Sequence, residues 1–183
     1  MNLSFFPLLL RAAVLAATLS AAGCASVQQP AAGSSSLTFV LVRHGEKSTD
    51  DAEDPNLSPG GRVRAAALAR ELARAPLVAI YATEYRRTQQ TAEPVAAAHG
   101  LAVLRYFSKG PASESAAQWR QRYAQGTVLI VGHSNTVPEL AAALCDCTVE
   151  AMSEDEYDRM SIVRFDTAGN AVLETRRYGA VSR

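Results

Sequence analysis

This sequence has no excess of charge, only three histidines, only three cysteines and no internal repeat, and each shortage removes a class of function. Eighteen Lys and Arg stand against 18 Asp and Glu, so there is no field to gather nucleic acid and no polybasic stripe to hold an anionic membrane. With His44, His99 and His133 the only imidazoles, and no carboxylate spacing around His44 and His133 that resembles a two-metal centre, a metallohydrolase is disfavoured and no metal or other cofactor is expected. Cys145 and Cys147 have no nearby His or Cys to complete four ligands, which argues against a zinc site. They flank Asp146, and two outcomes stay open: a disulfide, which needs a tightly bent, non-helical backbone, or two free thiols. The 183 residues, 48% of them hydrophobic, can build one substantial core and are too few for two ordinary domains.

The uncharged stretch Ala12–Ala22 follows a lone Arg11 and ends in small residues before Cys24. It falls short of the roughly 20 apolar residues that a spanning helix needs, and reads as a processing signal. The sequence Ala21-Ala22-Gly23-Cys24 resembles a bacterial lipobox, which implies lipidation of Cys24, and Ala25 after it implies the outer rather than the inner membrane. Ala25–Ser36, rich in Ala, Gln, Pro, Gly and Ser, lacks the side chains to fold, and as a tether it would reach on the order of 20 Å. The expected organisation is a signal peptide at 1–23, a lipidated Cys24 with its flexible tether at 24–36, and a folded domain at 37–183, anchored on the periplasmic side of a bacterial envelope. A soluble periplasmic or secreted protein, or one with an uncleaved anchor, is the alternative.

Beyond the tether, strands alternate with helices. Leu37–Val42, Leu77–Ala82, Leu101–Phe107 and Thr127–Val131 are apolar, β-branched runs. Between them lie helices expected from Ser58 to about Arg74, at Arg87–His99 and at Ser113–Gln125. Ser58 is a natural N-cap with Pro59 after it, Gly100 ends the second helix, and Pro94 is expected to kink or divide it. A fourth helix runs from about Val137 to Leu144, with Thr136 and Glu139 at capping-box spacing. Two last strands, Met160–Phe165 and Ala171–Tyr178, flank a hairpin-like turn. The pattern predicts an α/β fold: a single three-layer domain with a mainly parallel sheet flanked by helices.

Arg43-His44-Gly45-Glu46 directly follows the first strand and Gly132-His133-Ser134 the fourth, the end at which open α/β sheets keep their chemistry. With an arginine from the Arg86-Arg87 pair, these residues read as a phosphate pocket. A phosphate ester is a dianion whose transfer requires fixed cations around an in-line nucleophile, and a guanidinium supplies paired donors at every relevant pH. Ser134–Val137 opens a helix whose free N–H groups favour an anion, so Ser134 is a candidate phosphate contact. His99 reads as a helix-end histidine, Trp119 and Tyr123 as core or rim packing. Glu46 is left between substrate contact and loop anchor.

Four ordered motifs resemble those of the histidine phosphatase superfamily, the group that includes the cofactor-dependent phosphoglycerate mutases. They are Arg43-His44-Gly45; Leu57-Ser58-Pro59-Gly60-Gly61 with Arg64-Ala65; Arg87 with Gln90-Thr91-Ala92; and Gly132-His133-Ser134. The resemblance implies a phosphoglycerate mutase-like fold and His44 as a nucleophile that becomes phosphorylated. It also implies Arg43 and Arg87 as oxygen clamps, and His133 as a cation helping to hold the transferred group. Gly45 would let the backbone approach the phosphate. Related enzymes carry an acidic residue soon after the third strand; Tyr106–Pro111 has none, and Glu114 is the nearest candidate for a general acid. The function expected is a metal-independent phosphatase acting on a small or surface-displayed phosphate ester, with a phosphotransferase or mutase, or a non-catalytic phosphoglycan-binding lipoprotein, as alternatives.

Overall fold

The computed structural model describes Met1 and residues 36–182. The signal peptide, Cys24 and all but the last residue of the tether lie outside the described residues. Ten elements follow in the expected order: β1 Leu37–Arg43, α1 Pro59–Glu71, β2 Leu77–Thr83, α2 Arg86–His99, β3 Val103–Tyr106, α3 Ala112–Arg122, β4 Gly126–Gly132, α4 Thr136–Cys145, β5 Arg159–Phe165 and β6 Ala171–Arg177. They build one six-stranded sheet in the order β3-β2-β4-β1-β5-β6. The first four of these strands are parallel, and the β5–β6 hairpin closes the edge antiparallel to β1. This is the mainly parallel α/β sheet that alternating strands and helices dictate.

Because side chains alternate across a strand, the apolar runs feed two separate cores. Phe39, Leu41, Val128 and Ile130 face α3 and α4 with Trp119, Leu140 and Leu144. Val40, Val42, Leu129 and Val131 face α1 and α2 with Leu68, Val95 and Ala96. A central strand buried on both faces needs apolar residues on both sides, as Phe39–Val42 and Val128–Val131 supply.

Ser58 caps α1, its hydroxyl accepting from the Gly61 N–H at 3.1 Å with Pro59 in the first turn, and Gly100 ends α2 in the left-handed region. Division of α2 and capping of α4 by Thr136 do not occur. Pro94 does not divide α2, which runs unbroken from Arg86 to His99. The ring removes a single intrahelical bond, while Ala92, Val95 and Ala96 on the buried face hold the helix to the sheet. Thr136 does not cap α4 but is its first residue, and its hydroxyl instead accepts from the His133 N–H at 2.9 Å.

Cys145 and Cys147 are bridged, with Cα atoms 5.2 Å apart. Asp146 between them ends α4 at φ 51° and supplies the bent, non-helical backbone that such a short link needs. Among the described residues no helix is long and apolar enough to cross a membrane.

Candidate active site

The register of β1 against β4 creates the site. Arg43 lies directly across from Gly132 in the parallel ladder, and the next residue, His44, extends it by donating its backbone N–H to the Gly132 carbonyl at 2.9 Å. The histidines that follow these two strands are thereby neighbours, with ring centroids 5.3 Å apart. Around them a cavity of about 320 Å³ opens at the carboxyl ends of the parallel strands, lined by Arg43, His44, Arg87, His133, Ser134 and Glu154 among others.

The His44 ring is buried, and its Nδ1 lies 2.7 Å from the Gly45 carbonyl. A carbonyl only accepts, so Nδ1 carries the proton and Nε2 keeps its lone pair. Burial, reinforced by the charges of Arg43 and Arg87 and by His133, holds the His44 pKa down at about 2, so the ring is neutral at every physiological pH. His133 Nε2 sits 3.0 Å from Thr83 Oγ1, which is 2.8 Å from Thr88 Oγ1, and the Thr88 hydroxyl donates to the Tyr85 carbonyl at 2.7 Å. Reading donors back along that chain makes His133 Nε2 a donor to Thr83. Burial, then the Arg87 charge, brings the His133 pKa down to about 4. The ring expected to be a cation is therefore neutral in the unliganded site, and only an arriving anion would favour its protonation.

The structure separates the two adjacent arginines. Arg86 turns to the surface and pairs with Asp51 and Asp54. Arg87 lines the cavity, its guanidinium 4.4 Å from the Tyr85 ring centroid. Its Nη1 comes no closer than 3.7 Å to Asp54, a charge contact too long for a hydrogen bond, and Nε and Nη1 are buried with no hydrogen-bond partner. Buried donors of this kind are costly to leave unmade, and an oxyanion in the cavity would satisfy them.

Arg43 is placed differently from a free clamp. Its Nη1 donates to the carbonyls of Ser153 (3.1 Å), Glu154 (2.6 Å) and Glu156 (3.3 Å), and its Nη2 to Glu154 Oε2 at 2.9 Å. The Tyr157 ring lies beneath it with 4.1 Å from Cζ to the ring centroid, and Nε is buried and unpaired. Ser134 lines the cavity, and its hydroxyl donates to Glu154 Oε1.

Two expected site residues lie elsewhere. Gly45 does not border the cavity: its N–H donates to Thr91 Oγ1 at 2.9 Å, and a side-chain carbon there would stand 2.8 Å from the Gly61 carbonyl. The glycine exists for close packing of the loop on α1, not for approach to a ligand. Glu114 lies in the first turn of α3 and lines a separate surface cavity with Arg105, Phe107 and Trp119, so α3 carries it away from the histidines. Glu46 anchors its loop, accepting from Arg64 at 2.7 to 3.1 Å while Arg64 also donates to the carbonyls of Tyr178 and Ala180. Gln90 ties the same loop to α2 through the Leu57 N–H and the Asn56 side chain.

The cavity also includes Lys47, Tyr85, Ser108, Lys109 and Glu154, none of which the motifs point to. Lys109 follows β3 within the segment inspected for an acid, but Glu154 comes from an irregular stretch with no local signature. Among the described residues no group of three or more His, Cys, Asp or Glu side chains is placed to hold a metal ion.

Residues 39–106 match the family model described as "Histidine phosphatase superfamily (branch 1)". No curated protein matches the chain. Solved structures share the fold. The protein histidine phosphatase SixA in complex with tungstate superposes with a TM-score of 0.64 at 20% identity, over 76% of this chain and 96% of that one. YhfR of Bacillus stearothermophilus gives 0.62 at 20% identity over 76% and 96%. A mycobacterial glucosyl-3-phosphoglycerate phosphatase gives 0.57 at 16% identity over 79% and 99%.

Proposed function

We propose that this chain is a histidine phosphatase that hydrolyses phosphate monoesters through a phosphohistidine on His44, without a metal. The observation that carries the reading is a neutral, buried imidazole with Nδ1 tied to a carbonyl and Nε2 left as a lone pair, beside a guanidinium whose Nε and Nη1 are buried and unpartnered. A nucleophile held in one tautomer has its attacking atom chosen for it, and fixed cations neutralise the oxygens as charge shifts in transfer. Nε2 attacks phosphorus, Arg87 and His133 hold the equatorial oxygens, and water then releases phosphate. His133 takes part by gaining a proton as the dianion arrives, since the dianion offsets the burial and the Arg87 and Arg43 charges that keep it neutral. The tungstate-bound SixA structure, whose ligand is a tetrahedral oxyanion, and the family match over 39–106 both support this chemistry.

We also assign the domain to the periplasmic side of a bacterial envelope, tethered by lipid on Cys24, with a small or surface-displayed phosphate ester as its substrate and no nucleic-acid partner. The support is the Ala21–Cys24 sequence and the balanced charge.

Substituting His44→Ala abolishes phosphate release from an aryl phosphate, and a rapid acid-free quench of the unsubstituted protein traps one alkali-stable phosphoryl group on His44. Turnover retained by H44A overturns the assignment.

A further inference from the structure

Resting on the phosphatase reading above, we propose that Glu154 is the proton donor to the leaving group, the acid that the segment after β3 does not supply. Four observations converge on this residue. Among the described residues Glu154 is the only carboxylate that lines the cavity; Glu114 lies in another cavity, Glu46 is bound to Arg64, and Glu84, near His133, accepts from the Ser108 N–H and hydroxyl. Its position suits the task. His44 forms the floor at 3% exposure whereas the Glu154 side chain is 74% exposed at the rim. In-line displacement puts the departing oxygen on the side of phosphorus away from the nucleophile, here toward the open rim.

The carboxylate is also positioned by the groups that a phosphate would use. Oε2 accepts from Arg43 Nη2 and Oε1 from Ser134 Oγ, while the Glu154 carbonyl accepts from Arg43 Nη1 at 2.6 Å. The main-chain bonds of Arg43 to Ser153, Glu154 and Glu156 hold the segment in place without the carboxylate, so the side chain can leave Nη2 to a phosphate oxygen while the backbone stays. Finally, the contacts that keep the carboxyl ionised are those an oxyanion would displace. The Ser134 hydroxyl, then the charges of Arg43 and Lys47, hold its pKa below the ordinary range. Beside a dianion that has taken Ser134 and Arg43, the same carboxyl gains a proton more readily; of the other groups facing it, Lys47 adds a positive charge that favours the carboxylate, and His133 takes up its own proton as the dianion arrives.

The steps balance. The His44 Nε2 lone pair forms the N–P bond as the ester P–O bond breaks; its electron pair goes to the ester oxygen, which takes the carboxyl proton and leaves as an alcohol. The Glu154 carboxylate then takes a proton from the water that attacks the phosphohistidine, the N–P bond breaks back to neutral imidazole, and inorganic phosphate departs with Glu154 protonated again.

The test uses the full chain with Glu154→Gln, Glu154→Ala and Lys109→Met, a series of aryl phosphates of rising leaving-group pKa, and an alkyl phosphate. Glu154→Gln should lose on the order of 100-fold in kcat/KM on the alkyl phosphate and only a few-fold on p-nitrophenyl phosphate, whose phenolate leaves unprotonated. Inorganic phosphate should inhibit Glu154→Ala at least as well as the unsubstituted protein, which marks an intact anion site. Equal losses on both substrates, no loss on either, or the leaving-group signature appearing in Lys109→Met instead overturns the assignment while leaving the phosphatase reading standing. An unsubstituted enzyme whose rate falls steeply with leaving-group pKa does the same. Absence of turnover and of any trapped phosphohistidine in the unsubstituted protein defeats the underlying reading itself.

Discussion

Adjacent glycines at the start of α1 should respond to the same substitution with opposite signs. Gly60 and Gly61 both occupy the first turn, yet a side-chain carbon at Gly60 would meet only Ser58 Oγ at 3.6 Å, an ordinary contact on an exposed face. At Gly61 it would stand 2.3 Å from the Glu46 carbonyl oxygen and 2.9 Å from the Glu46 nitrogen. Those are main-chain atoms of the loop that carries His44, pinned by the Ser58 N–H to the Glu46 carbonyl at 2.8 Å and by Gly45 to Thr91. To reach an ordinary contact of about 3.4 Å, the helix and loop must separate by roughly 1 Å. Gly60→Ala should stabilise the domain by about 0.5 kcal/mol, since alanine loses less backbone entropy in a helix. Gly61→Ala should cost about 1–3 kcal/mol for overpacking, a fall in Tm of roughly 3–10 °C for a domain of this size. It should also lower kcat/KM toward an aryl phosphate by about 100-fold, because an ångström of misplacement at the nucleophile is costly. Urea denaturation and phosphate release on both variants decide the matter. If Gly61→Ala matches Gly60→Ala in stability and rate, the loop does not depend on this backbone contact and the reasoning is wrong.

Replacing Arg87 with Ala should reduce kcat/KM by at least about 100-fold, through loss of the unpaired cavity donors. Arg86→Ala, which only frees Asp51 and Asp54 at the surface, should stay within a few-fold; parallel steady-state kinetics would expose the opposite pattern. Glu46→Gln should destabilise by about 2 kcal/mol, because it removes the charge partner of a buried Arg64 while Glu46 itself stays partly exposed, and an unchanged urea midpoint would count against the anchor. Acid should weaken the fold in a window set by the histidines. Folded His44 and His133, at about 2 and about 4, bind protons less readily than the unfolded chain does near 6.5. Stability is therefore full above pH 6.5 and is lost as pH falls, by about 1.4 kcal/mol per pH unit for each ring at most. Glu46, Glu84, Glu154, Glu156 and Asp158 are all held below the ordinary carboxylate range, so a urea series from pH 7 to 5 follows the two rings, and a flat profile would contradict their burial.

Strands, helix faces and the placing of chemistry at strand ends were legible in the chain. These features are written in local periods: apolar runs buried on both faces, a capped Ser58-Pro59, a left-handed Gly100, and a histidine directly after each of two buried strands. Arg87 could be told from Arg86 because neighbours on a helix point about 100° apart. Which distant groups meet emerged from the fold. Arg43 and Glu154 pair across 111 residues, and no local pattern encodes a contact whose existence depends on the path of the intervening backbone. The same reason removed Glu114, close in sequence to the third strand but carried off by α3, and turned Gly45 from a ligand contact into a packing contact with Gly61. It also fixed the charge of His133, because desolvation depends on everything packed around a ring and not on the residues beside it in the chain.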